Sequence, residues 1–218
     1  SHAVTKGLDR SVPMKDSGVE WLGEIPEHWK SVRLTKYLQS LVDYRGKTPE
    51  KVSHGVFLVT AKNIKNGIID YSLSQEFVKE EDYEQIMGRG KPSIGDVLLT
   101  TEAPLGEVAN IDNVNIALAQ RVIKMQGKTK ILDNFFLKNW MLGKHFNQNL
   151  QSLCTGSTAL GIKASKLCLL RLVLPPIEEQ KMINLCVDQK TAEIDQQKAR
   201  VEKAIALLKE YRTALITN

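Results

Sequence analysis

The sequence holds few features that would tie it to a membrane, an oxidising compartment or a metal. No stretch approaches the ~20 consecutive apolar residues that cross a bilayer, and the N-terminus lacks the basic-then-apolar pattern of a secretory signal. Cysteine is scarce. Cys154, Cys168 and Cys186 form no C-x-x-C pair, and His2, His28, His54 and His145 stand at no ligand spacing, which argues against a disulfide scaffold or a structural zinc site. Aromatic residues make up 6% of the chain. Disorder is excluded on the other side, because 42% hydrophobic residues among 218 suffice for a core. A soluble intracellular protein of one domain plus an appendage is expected.

The most informative absence is local. All fourteen glycines lie at or before Gly161 and all seven prolines at or before Pro176, so the last 42 residues contain no helix breaker. There an apolar line repeats every seventh residue through Val187, Ile194, Val201, Leu208 and Leu215. A second line, Ile183, Lys190, Gln197, Ala204 and Tyr211, is polar in its middle. Heptad spacing of this kind predicts a long helix that pairs with another helix, with Lys190 and Gln197 setting register. At 1.5 Å per residue such a helix makes a rod of roughly 60 Å. An ordinary amphipathic helix folded back on its own domain is the alternative, and the length argues against it.

Charge divides along the same line. From residue 175 onward seven acidic residues balance seven basic ones, while residues 1–174 carry 23 basic against 18 acidic groups. The whole net charge of +5 therefore sits on the globular part, a modest excess of the sign that attracts phosphate backbones.

In that part, residues 1–31 read as an irregular wrapping segment anchored by Trp21 and Trp29. Strands are predicted at 55–60 (GVFLVT), 96–101 (DVLLTT), 107–111 (EVANI), 120–125 (QRVIKM) and 169–174 (LLRLVL). Leu132, Phe136, Trp140, Gly143, Phe146, Leu150 and Leu153 fit one helical face, capped by Asp133 or Asn134. The predicted class is α+β: a mixed domain over 1–174 followed by a coiled-coil-forming helix over 175–218. Enzyme signatures are missing. Gly88, Gly90 and Gly95 miss the G-x-G-x-x-G spacing, and Gly90-Lys91 is followed by proline where a phosphate-binding loop needs Ser or Thr. There is no G-x-S-x-G or H-E-x-x-H. The only Pro-Pro lacks the Asn/Asp-Pro-Pro-aromatic context of an amino-methyltransferase.

Several ordered motifs then resemble one family. Residues 156–183, GSTALGIKASKLCLLRLVLPPIEEQKMI, are similar to the segment that leads from a target recognition domain into a spacer helix in the specificity subunits of type I restriction-modification systems. GDVLLTTEAPLG at 95–106, RGKTP at 45–49, KNI at 62–64 and VEWLGEIPEHW at 19–29 resemble other parts of the same domain. Family subunits normally carry two recognition domains and two helices. One of each here implies a natural half-subunit or an excised half, and TALITN at 213–218 resembles a repeat junction running on into AVTKGLD at 3–9.

The resemblance implies a non-catalytic subunit that reads one half of a bipartite duplex target in a bacterial or archaeal cytoplasm. S-adenosylmethionine, ATP and Mg²⁺ would be held by partner modification and restriction subunits, and this chain would hold no cofactor. The expected DNA contacts are Arg45, Lys47, Thr48, Lys62, Asn63, Arg89, Lys91, Gln120, Arg121, Ser157, Thr158 and Lys163. Helix pairing into a homodimer is expected through Ile183, Val187, Ile194, Val201, Ala204, Leu208, Tyr211 and Leu215. A protein-interaction adaptor built on the coiled coil, without DNA specificity, is the competing reading.

Overall fold

The computed structural model describes residues 2–46, 49–154 and 161–217. The supposedly irregular opening contains a short helix, α1 (His2–Lys6), and three strands, β1 (Met14–Asp16), β2 (Glu24–Pro26) and β3 (Lys30–Arg33). β4 (Leu38–Asp43), β5 (Val56–Val59), β6 (Ile64–Lys65), β7 (Ile68–Ile69) and β8 (Phe77–Val78) precede a single helical turn, α2 (Tyr83–Ile86). Then come β9 (Val97–Thr101), β10 (Leu105–Asn110), β11 (Ile116–Leu118) and β12 (Val122–Gly127). Helices α3 (Asn134–Met141) and α4 (Lys144–Ser152) follow. β13 (Arg171–Leu174) runs through Pro175-Pro176 into α5 (Ile177–Thr217).

An antiparallel sheet in the order β10-β9-β12-β4 divides the body. Side chains alternate along its strands, so neighbours enter different cores. Val97, Leu99, Val108, Ile123 and Met125 face α3 and α4, whereas Leu98, Ala109 and Val122 face a second sheet, β11-β5-β8, in which β11 runs parallel to β5. Burial on both faces explains why VLLTT reads as a continuous apolar run rather than an alternating one. Inside the second core the carboxylate of Asp96 meets the ammonium of Lys124 at 2.7 Å, with side chains only 1% and 6% exposed. At the end of β12 the backbone of Leu132 passes so close that a Cβ on Gly127 would lie 2.2 Å from its carbonyl oxygen, which requires glycine there.

The α+β class is as expected, and Trp29 and Trp140 are buried packing residues. The single helical face over 132–153 is corrected. Asp133 caps α3 by accepting from the N–H groups of Phe135 and Phe136, but Gly143 is extended (φ -73°, ψ 152°) and restarts the chain as α4. The periodicity survived the break because Phe136, Trp140, Phe146 and Leu150 enter the same core.

A second correction concerns the base of α5. Ile183 is fully buried in the core of its own body and so is not free to pair with another helix, and Val187 packs half-buried against the same core. Polar contacts surround them. Gln180 donates to the carbonyls of Ile131 (2.9 Å) and Pro175 (2.8 Å) and accepts from the N–H of Asp133 (2.9 Å). Asn184 donates to Asp133 (2.8 Å) and accepts from Asn139 (3.1 Å), while the Trp29 indole donates to Glu179 (2.9 Å). From residue 188 to 216 every residue of α5 is exposed. Over that length Ile194, Val201, Leu208 and Leu215 are 57% to 66% exposed, with Ala204 and Tyr211 also bare.

Candidate nucleic-acid interface

The end of β4, the end of β9 and the start of β12 meet at one edge of the four-stranded sheet, because β12 runs antiparallel to both neighbours. Thr101 donates its N–H to the carbonyl of Arg121 (3.0 Å), and Glu102 bridges to Gly161. The loops after β4 and β9 and the loop before β12 therefore converge there. Strand pairing, a consequence of buried apolar runs, positions these polar side chains.

The turn after β4 is held by arginine. Nε of Arg45 donates to both carboxylate oxygens of Asp43 at 2.9 Å, and Nη1 donates to the carbonyl of Ile162 (2.8 Å). Arg89 reaches in from the loop after α2 and donates to the carbonyls of Asp43 and Arg45, each at 2.7 Å. Burial alone would push the Asp43 carboxyl up. Hydrogen bonds from Arg45 and the charges of Arg45 and Arg89 outweigh it and hold the carboxyl below the usual carboxylate range. Arg45 is thus committed first to shaping its loop, with a half-buried side chain.

Beside this turn lie two adjoining clefts that share Pro49 and Gln120 in their walls and that also carry Glu76 in one and Glu50 and Asp82 in the other. One is lined by Lys51, Lys62, Gln120 and Arg121, the other by Tyr44, Lys79, Gln85 and Arg89. The Arg121 guanidinium is half exposed and forms an ion pair with Glu102, Nε lying 3.1 Å from the carboxylate. Lys62 is exposed, whereas Lys51 pairs with Glu76 (2.7 Å). Tyr44 underlies this floor, donating to the carbonyl of Gly90; burial and then the charge of Asp96 push its hydroxyl well above the ordinary tyrosine range, so it stays a neutral donor.

Of the expected contacts, Lys62, Gln120 and Arg121 line one cleft, Arg89 and Gln120 line its neighbour, and Arg45 is held beside the second by Arg89, which donates to its carbonyl. Lys91 is exposed but lies against Glu84 (2.6 Å) and over the ring of Tyr83, which reduces its free charge. Lys163 is exposed and follows the Ile162 carbonyl that Arg45 binds. Lys47, Thr48, Ser157 and Thr158 lie outside the described residues. Asn63 is corrected. It is fully buried, its oxygen accepts from the N–H and hydroxyl of Thr60 (both 2.9 Å), and its amide donates to the carbonyls of Asp70 (3.0 Å) and Ser74 (2.9 Å). With every hydrogen-bonding position filled, it is a loop brace rather than a reader of bases. Lys51, Lys79 and Glu102 were not anticipated. Glu102 follows directly on the DVLLTT run, whereas the two lysines carried no motif that could have marked them.

Among the described residues no group of three or more His, Cys, Asp or Glu side chains is placed to hold a metal ion, and no helix is long and apolar enough to cross a membrane.

Residues 26–203 match the profile of the type I restriction modification DNA specificity domain. The chain belongs to this family. Among curated relatives, it is 28% identical over 187 residues to the type I restriction enzyme MjaVIII specificity subunit of Methanocaldococcus jannaschii, covering 81% of this chain and 42% of that one. To the EcoKI specificity subunit of Escherichia coli K12 it is 23% identical over 208 residues, covering 89% and 43%. The chain spans less than half the length of these relatives. In fold it is similar to a chain from a study of complex assembly in the type I R-M system (TM-score 0.64, 18% identity, 90% of this chain, 46% of that one). It also resembles the HsdS subunit from Thermoanaerobacter tengcongensis (TM-score 0.54, 20% identity, 88% and 42%). The specificity domain thus shares its mixed body and long C-terminal helix with solved family structures.

Proposed function

We propose that this specificity domain reads one half of a bipartite duplex target for a type I restriction-modification complex and catalyses no reaction itself. Residues 1–174 recognise the half-site, and residues 175–218 set its distance from the other half. Methyl transfer from S-adenosylmethionine belongs to a modification subunit, and ATP- and Mg²⁺-dependent cleavage to a restriction subunit, in a bacterial or archaeal cytoplasm. The observation that carries the reading is the pair of adjoining clefts, sharing Gln120, that gather Lys62, Arg89 and Arg121 at the ends of β4 and β9 and the start of β12, on the part of the chain that holds all its excess positive charge.

The exposed Lys62 supplies sequence-independent, salt-sensitive affinity for phosphates, while Lys51 and Lys79 are paired with Glu76 (2.7 Å) and Glu50 (3.3 Å). Base reading falls to Arg121, whose free N–H groups suit the O6/N7 edge of guanine, and to the Gln120 amide, which suits adenine. Arg45 and Arg89 keep the reading loop in shape.

The bare face of α5 is best satisfied by a second copy. A neutral helix with an exposed apolar line and a polar centre favours antiparallel pairing through Ile194, Val201, Ala204, Leu208, Tyr211 and Leu215. Two bodies at the ends of a rod of roughly 60 Å face half-sites between one and two turns of ~34–36 Å apart. The two-fold axis makes the target palindromic.

The test is selection of bound duplexes from a random pool, using the chain with its modification subunit. Recovery of an inverted pair of half-sites at one spacing is the expected result. A pool without enrichment, together with binding indifferent to salt, would favour a coiled-coil adaptor instead.

A further inference from the structure

We propose that Glu179, Gln180 and Asn184 form a polar joint that fixes the direction and rotation of α5 against the body, and that this joint determines which spacing between half-sites is accepted. This rests on the reading of α5 as a spacer.

Apolar contact alone would hold the helix loosely. Ile183 is buried in the core, but a hydrophobic contact is non-directional and tolerates small rotations. The hydrogen bonds around it do not. Gln180 uses both amide protons and its oxygen on three backbone groups, at Ile131, Asp133 and Pro175. One residue of slip along the helix moves a side chain by 1.5 Å and turns it by about 100°, which breaks all three. Glu179 points elsewhere, accepting from the Trp29 indole (2.9 Å) and meeting Nε2 of His28 at 2.8 Å. Asn184, one turn after Gln180, binds Asp133 and Asn139. The helix is thus restrained from two sides and at two heights.

The connection continues rigidly to the proposed reading surface. Asp133 caps α3, Asn139 lies within α3, and α3 packs on β9 and β10 of the sheet whose edge carries Glu102 and Arg121. On the other side α5 runs to its end without glycine or proline, so the chain has no hinge at which a misdirected helix could be corrected. A tilt of about 10° at the joint displaces the far end of the helix by roughly 9 Å, more than two base-pair steps of ~3.4 Å. A buried amide at Gln180 is also an expensive way to attach a helix if attachment were its only task, since an apolar side chain of similar volume would dock as well. Directionality is what the amide adds.

The experiment is the duplex selection repeated with Gln180→Leu and Gln180→Glu. The first keeps volume and loses all three hydrogen bonds; the second keeps shape and loses both donors. The expected result is an unchanged half-site with a spacer distribution spread over neighbouring lengths. Discrimination between the preferred spacing and one a base pair longer should fall by about tenfold. Binding to a duplex bearing a single half-site should stay as in the parent, which shows that the body is folded. If the Gln180 variants fail that control, Glu179→Ala and Asn184→Ala take their place, with Glu179→Gln, which still accepts from Trp29, expected to restore the narrow distribution. A spacer distribution as narrow as the parent's in variants that bind the single half-site overturns the joint while leaving the DNA reading intact. Failure of the parent chain to select any half-site overturns the DNA reading and the joint with it.

Discussion

Residues 177–187 and 188–216 belong to one unbroken helix, yet they live in different surroundings. The first stretch is built into the body, with Gln180, Ile183 and Asn184 buried and every polar atom of Gln180 paired. In the second every residue is exposed, and its apolar line faces water. The heptad pattern runs through both without a change of period. What separates them is the identity of the intervening polar residues. Glutamine and asparagine at 180 and 184 match backbone and side-chain groups of the body, whereas Lys190 bonds only to Glu193 of its own helix (2.9 Å) and Gln197 is exposed. Periodicity therefore reports that a helix has an apolar side, while its partner must be read from the polar residues that flank that side.

Six substitutions should break or sharpen this contrast. The largest effect belongs to the body alone: Lys124→Met leaves the Asp96 carboxylate buried without its cation and should cost about 3–5 kcal/mol. Chemical unfolding should register that loss, while self-association measured by sedimentation under native conditions stays unchanged. Next, one truncation at two places on α5 should have opposite signatures. Ile183→Ala should lower stability by about 2–5 kcal/mol, because it empties a filled core site. Leu208→Ala should leave the unfolding of the dilute chain as it is and weaken self-association instead.

On the proposed interface the same logic separates brace from contact. Asn63→Ala should cost about 1–3 kcal/mol of stability by orphaning buried partners, with the salt dependence of DNA binding unaltered. Lys62→Ala should do the reverse, lowering the salt slope by about 1 at constant stability. The smallest effect concerns pH. The Asp43 carboxyl is lowered in the folded chain, so its contribution is present above its unfolded value of about 4 and drains away as pH falls through the lowered one. Asp43→Asn should therefore flatten the acid limb of stability below about pH 4 and cost under about 1 kcal/mol at neutral pH.

Much of the fold was legible. Apolar runs marked β5, β9, β10, β12 and β13; β9 and β12 are buried on both faces, and strands of that kind need no polar alternation to declare themselves. β4 escaped notice because it closes one side of its sheet, and after Leu38 its residues are only half-buried or exposed. The two-residue strands β6, β7 and β8 are too short to carry any period. Gly143 sat inside a convincing helical face, and only its extended backbone reveals the break. The candidate interface was legible to the extent that Gln120, Arg121 and Lys62 stand beside apolar runs or familiar motifs. Asn63 misled because an amide that braces its own loop looks, in sequence, like one that reads adenine. Glu179 and Gln180 were visible as part of LPPIEEQ, but their partners come from residues about 50 and 150 positions away in the chain.

The most direct test of a body that reads and a helix that spaces is removal of one heptad, residues 194–200, followed by selection of bound duplexes. Seven residues correspond to roughly 10 Å of rod, or about three base pairs. The account predicts the same half-site bases with a spacer shorter by that amount. An unchanged spacer, or altered half-site bases, would contradict it.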